Sequence, residues 1–155
     1  MSIKELENLV EVNKLHREPI NASDLPEIEG LMSSGTRRLD DAKTEALSIE
    51  SRFDLAYNAA HALALAALRL HGYRSTNRYL VFQALPHTLG IAKEKVRVLD
   101  SAHNKRNRSE YDGVFDVDSI MVRSLILVGA DIEKAVRDVF SAKAKQLGFT
   151  PPFAR

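Results

Sequence analysis

IESRFDLAYNAAHALALAALRLH, residues 49–71, decides the fold. At about 100° per residue, Phe53, Ala56, Tyr57, Ala60, Leu63, Ala64, Ala67 and Leu68 gather on one side of a helix. Leu65 and Leu70 widen that side. A helix apolar around so much of its circumference belongs in the middle of a bundle. Its alanines have short side chains, so neighbouring helices can approach closely. Gly72 follows as a C-terminal cap.

Working outward, helical spacing recurs and strand alternation is almost missing. Ile3, Leu6, Leu9 and Val10 predict a first helix over 2–16, interrupted by Pro19 and Asn21. Ser23 or Asp24 can cap a second helix, with Pro26 in its first turn. It carries Leu25, Ile28, Leu31 and Met32. Gly30 and Gly35 predict a break near 33–36, with helix resuming through Leu39, Ala42 and Leu47. Beyond Gly72, any of Ser75, Thr76 or Asn77 can start a helix through Tyr79, Leu80, Phe82, Gln83 and Leu85, ending near Pro86 and Gly90. A further helix spans about 92–110, and Tyr111-Asp112-Gly113 reads as a turn. Asp118 caps a last helix from Ile120 to about Gly148. The expectation is an all-α, up-and-down bundle of five to six helices. It forms a single domain over 1–148, followed by an extended tail over 149–155.

Composition narrows the functions. A chain of 155 residues, 45% apolar and 28% charged, can bury a core without staples. Lys and Arg number 22 against 21 for Asp and Glu. That balance lacks the basic excess of a non-specific nucleic-acid binder, so any such contact needs a local patch. The absence of cysteine removes disulfides, thiolate metal sites and Cys nucleophiles together. No two of the five histidines share a metal-ligand spacing on one helix, so neither a metal nor a cofactor is expected. The start of the chain has no apolar signal core, and the apolar run at 59–68 is too short to span a bilayer. A cytoplasmic protein with no membrane contact is expected.

The 92–110 helix breaks its own pattern. Ala92, Val96 and Leu99 lie on one arc, flanked by Ile91, Val98 and Ala102. The same arc then reaches His103 and Arg106, with Asn107 at its edge, whereas Arg108 points almost oppositely. An inward arginine needs a carboxylate, a wet cleft, a subunit partner or an anionic ligand, because an unpaired buried charge costs several kcal/mol. Glu110, four residues on, can supply the carboxylate. The basic run 105–108 can also simply offset the negative helix C-terminus.

The stretch His103-Asn104-Lys105-Arg106-Asn107-Arg108-Ser109-Glu110-Tyr111 resembles the signature of HEPN domains, helical bundles that often form dimers. In that family an Arg, usually followed by Asn or another polar residue, precedes a His by four to six positions. Active members use the motif as a metal-independent RNase site in which two subunits face each other. The order of the segments over about 48–147 is similar to that of small bacterial HEPN proteins. By position, Arg106 matches the family Arg and Asn107 the polar residue after it, while Tyr111 stands where the His is expected. A Tyr hydroxyl titrates near 10 and exchanges protons poorly at neutral pH, where imidazole does so readily. His103, one turn from Arg106, is the available imidazole.

The resemblance therefore implies a homodimer that binds RNA or a nucleotide phosphate through Arg106 and Asn107. It implies metal-independent endoribonuclease chemistry, with His103 and Tyr111 handling protons, and a toxin–antitoxin or defence role with a cognate antitoxin as partner. An inactive HEPN-like interaction module is the alternative. Asp54, Tyr57 and His61 share a helix face and could support Arg106. Arg69, Arg74 and Arg78 flank a turn, as a solvated surface or a small basic patch.

Overall fold

The computed structural model describes residues 2–11 and 15–149. Its helices are α1 (Ser2–Glu11), α2 (Leu25–Ala42), α3 (Ile49–Leu70), α4 (Arg78–Gln83), α5 (Leu85–Thr88), α6 (Lys93–Asp112) and α7 (Ser119–Gln146). Taking α4 and α5 as one interrupted segment leaves six, and the chain is an all-α bundle.

The 49–71 stretch occupies the centre. Ser48 opens α3 by accepting the Ser51 amide N–H at 3.1 Å. Gly72, at φ +85°, closes it in the left-handed conformation that glycine adopts without strain. From Ala56 onward nearly every residue of α3 is buried, because α2 and α7 pack along it from two sides. The alanines add little apolar area each. Their contribution is approach.

The same closeness explains why α2 runs unbroken through 33–36, where a break was expected. A Cβ on Gly35 would lie 2.7 Å from Leu63 Cγ and 3.3 Å from the Ala59 carbonyl oxygen. Gly35 is therefore a contact point between helices and not a break. Gly129 of α7 meets Leu39 of α2 in the same way, its notional Cβ 2.9 Å from Leu39 Cδ1. Helix α2 stops at Ala42, short of Leu47, and Arg52 Nε donates to the freed Ala42 carbonyl at 2.8 Å.

Three other expectations are corrected. The first helix is described over Ser2–Glu11 and does not reach His16. His16–Arg17 (β1) instead pairs antiparallel with Tyr73–Arg74 (β2), in register His16 with Arg74. The helix after Asn77 is cut at Ala84, and α5 begins at Leu85 with Pro86 in its first turn. Helix α6 continues to Asp112, and only Gly113, at φ +68°, turns left-handed. Residues 12–14 and the tail from Thr150 lie outside the described residues. Phe149 is held, its amide on the Ala144 carbonyl at 2.8 Å and its ring edge-on to Phe140.

Candidate functional site

Helices α3, α4 and α6 bring their polar residues together at one point. On α3, Tyr57 is fully buried and stacks beside Phe53, with Phe82 meeting its ring edge-on. Its hydroxyl lies 2.8 Å from His103 Nδ1. On the other side of that imidazole, Asn107 Nδ2 lies 3.3 Å from Nε2. An amide nitrogen can only donate, so Nε2 accepts and the ring proton sits on Nδ1, donated to Tyr57. His103 is thereby held in one tautomer, with its Nε2 lone pair on the weaker and more easily displaced bond.

Two guanidiniums flank this pair. Arg106 Cζ lies 5.1 Å from the Tyr57 ring centroid and Arg78 Cζ 5.6 Å from it, both within cation–π reach. Arg106 also meets Glu110 at 3.0 Å, the carboxylate that spacing had offered it. Arg78 differs. Its polar partners are the Asn58 side-chain oxygen at 3.1 Å and the Tyr57 hydroxyl, both neutral, and among the described residues it has no carboxylate partner. Tyr79, beside it, is half exposed and tilts toward the His103 ring at 6.3 Å.

The positive charge is felt by Asp54, Tyr57, His61 and His103. Burial, reinforced by Arg106 and Arg78 and opposed by Asp100, holds His103 below its usual value. His61, edge-on to Phe82, is pushed down to about 4 by burial and by Arg78, Arg106 and His103. Both imidazoles are neutral at pH 7. Burial raises Tyr57, against the pull of Arg78 and Arg106, so the phenol keeps its proton. Asp54 is raised by burial and by Glu50, with Arg106 opposing. The α3 residues thus do face the arginine pair.

The sequence-stated residues divide. His103, Arg106 and Asn107 come together as expected. Tyr111 does not. Because α6 stays helical to Asp112, Tyr111 points about 140° away from Arg106 around the axis and is 81% exposed. Arg78, Tyr79 and Asn58 were not foreseen as site residues. Arg78 sits on a helix of six residues, too short for periodicity to assign a face.

Arg69 is no part of a solvated surface, and Arg74, though its side chain is 42% exposed, is paired with carboxylates and forms no basic patch. Arg69 is 2% exposed, with Nη1 2.7 Å from Glu18 and Nη2 3.9 Å from Glu27. Arg74 grips the same Glu18 carboxylate through Nε at 3.0 Å to both oxygens and approaches Glu27 at 3.6 Å. Two cations and two carboxylates balance there.

No described group of three or more His, Asp or Glu is arranged to hold a metal ion. No helix among the described residues is long and apolar enough to cross a membrane. Comparison with family models, with curated proteins and with solved structures found no match to this chain.

Proposed function

We propose that this chain is a HEPN-like domain that binds RNA, or a nucleotide, by a phosphate held between Arg78 and Arg106. The observation that carries this reading is Arg78. A half-buried guanidinium with only neutral partners, beside a second guanidinium and two neutral imidazoles, is a preformed seat for an anion. A phosphate there would take charge-assisted hydrogen bonds from Arg78, with Arg106 shared between it and Glu110.

The same arrangement supports metal-independent cleavage of RNA. His103 Nε2 takes the proton of a 2′-hydroxyl, the 2′-oxygen attacks phosphorus, and the bond to the 5′-oxygen breaks. The products are a 2′,3′-cyclic phosphate and a 5′-hydroxyl. Arg78 and Arg106 offset the charge that builds on the phosphorane, Tyr57 holds the Nδ1 proton, and the 2′-hydroxyl displaces the Asn107 amide from Nε2. The leaving oxygen needs a proton donor from outside this cluster. In the homodimer that the family resemblance implies, Tyr111 on the exposed flank of α6 is available from the second copy.

The test is incubation of labelled single-stranded RNA in EDTA with the wild type, Arg106→Ala and Arg78→Ala. Cleavage by the wild type alone supports the endoribonuclease. Binding without cleavage keeps the phosphate site and removes the chemistry. Absence of both, in a folded protein, removes the reading.

A second reading has its own observation. Arg106 is already paired with Glu110, and Tyr79, Tyr111, Ile120 and Leu127 are exposed. An inactive interaction module, docking a second copy or an antitoxin-like protein, uses those features without any phosphate.

A further inference from the structure

The Arg78–His103 cluster is one end of a longer seam. Helices α4 and α5 run past α6 so that Tyr79 meets His103, Gln83 Nε2 donates to Asp100 at 2.6 Å, and beyond them Pro86 and His87 face Val96, Arg97 and Lys93. All of these residues from Gln83 and Asp100 onward line one cavity of about 340 Å³, with Lys93 and Arg97 further from Arg106 along α6 than Asp100. Both are exposed, and neither has a carboxylate partner among the described residues. His87 lies 4.0 Å from Glu5 and is set aside. From Lys93 to Arg106 the α6 axis rises about 20 Å, too far for a mononucleotide to bridge.

We propose that this seam is the track of a single-stranded RNA, entered at Tyr79 and the Arg78–Arg106 pair and leaving over Arg97 and Lys93. The proposal rests on the phosphate reading of the first site and extends it along α6. At the entry Arg78 has no carboxylate partner among the described residues and Arg106 is shared with Glu110, and at the exit Lys93 and Arg97 have none, so phosphates sit at these two ends. Between them Asp100 would repel a phosphate, so the chain crosses there with a base, whose amino group a carboxylate can accept from. Tyr79 gives a half-exposed ring at the entry, on which a base can stack whatever its identity. A duplex cannot splay a base onto that ring, and an acidic peptide has none to offer.

The experiment measures binding of 2′-O-methyl RNA, which cannot be cleaved through its 2′-oxygen, as a dinucleotide and as an octanucleotide. The proteins are the wild type, Lys93→Glu/Arg97→Glu and Lys93→Gln/Arg97→Gln. Both substitutions lie on an exposed helix surface, and circular dichroism checks that the variants fold. The wild type should bind the octanucleotide at least tenfold more tightly than the dinucleotide. Both double variants should bind the dinucleotide as the wild type does and lose that gain. Their salt slope for the octanucleotide should fall by about 0.7 for each phosphate contact removed.

Equal affinity for the two lengths overturns the track and leaves the phosphate site standing. A double variant that weakens both lengths equally does the same. Equal binding of a blunt duplex, or equal displacement by polyglutamate, removes the single-strand assignment. If not even the dinucleotide binds the wild type, the first site fails, and the track fails with it.

Discussion

Two arginine clusters sit on the same central helix and differ in one respect. Near its C-terminal end Arg69, with Arg74 from β2, meets Glu18 and Glu27, so that charge is matched by charge. Nearer its start Tyr57, Asn58 and His61 face Arg78 and Arg106, and among the described residues Glu110 is the one carboxylate in ion-pair contact with these arginines. The first cluster ties the β1–β2 pair to α2 and α3 and matches its two cations with two carboxylates, while the buried Arg69 Nε has no hydrogen-bond partner among the described residues. On the proposed reading the second is incomplete, and an anion would complete it. Burial does not separate them in the way intuition suggests. The more buried arginine, Arg69, is the structural one, because desolvating a guanidinium is tolerated only where partners are built in. Ligand-binding arginines keep some exposure, since the ligand must reach them.

The comparison breaks if the two clusters respond alike to truncation. Arg69→Ala should lower stability by about 3 kcal/mol, since it opens a cavity beside α3 and removes one cation from Glu18. Phosphate binding by the fraction that remains folded should be unchanged. Chemical denaturation monitored by circular dichroism gives the first quantity and titration with a dinucleotide the second. A loss below 1 kcal/mol would show that Arg74 and solvent satisfy Glu18 alone.

Acid should separate the clusters by pH. The folded value of His61, about 4, lies below its ordinary 6.5. The unfolded chain therefore binds the extra proton, and the contribution is complete above pH 6.5 and lost as pH falls toward 4. Between pH 7.5 and 5 the loss from His61 is about 2 kcal/mol, and His103, shifted the same way, adds to it. Glu18, held below the ordinary carboxylate range mainly by Arg74, gives up its share only at lower pH. Unfolding free energies across pH 5–8 should thus slope downward on the acid side for the wild type and flatten for His61→Gln. An unchanged slope in that variant would place the titration elsewhere.

The fold was legible because α3 repeats one message over six turns. Gly35 was misread for a physical reason. Glycine weakens an isolated helix, and one sequence does not reveal that Leu63 fills the space a Cβ would take. The site was half legible. His103 and Arg106 stand out as polar groups on an apolar arc, which is a statement about α6 alone. Arg78 and Arg69 could not be told apart, because what distinguishes them is Glu18 and Glu27, distant in sequence and close only after folding. Tyr111 was misplaced by assigning the turn to Tyr111-Asp112-Gly113, when one left-handed glycine is enough to end a helix.

Arg78→Ala sharpens the contrast from the other side. It removes a cation–π contact and hydrogen bonds to two neutral groups, so its cost in stability should be about 1 kcal/mol. Its cost in dinucleotide affinity should be about tenfold or more, the worth of a charge-assisted hydrogen bond. Equal losses in the two measurements would make Arg78 a packing residue like Arg69.

The smallest effect has the least ambiguous sign. Glu110 competes with a bound phosphate for Arg106, so Glu110→Gln should tighten dinucleotide binding. Two unit charges 4 Å apart in water repel by about 1 kcal/mol, which sets the gain at roughly fivefold. Added salt should shrink it, since Glu110 is about half exposed. The i,i+4 pair itself contributes only about 0.5 kcal/mol to stability, so folding should hardly change. If the substitution instead weakens binding, Glu110 is orienting Arg106 toward the ligand. The second cluster would then be as internally organised as the first, and Arg78 alone would distinguish them.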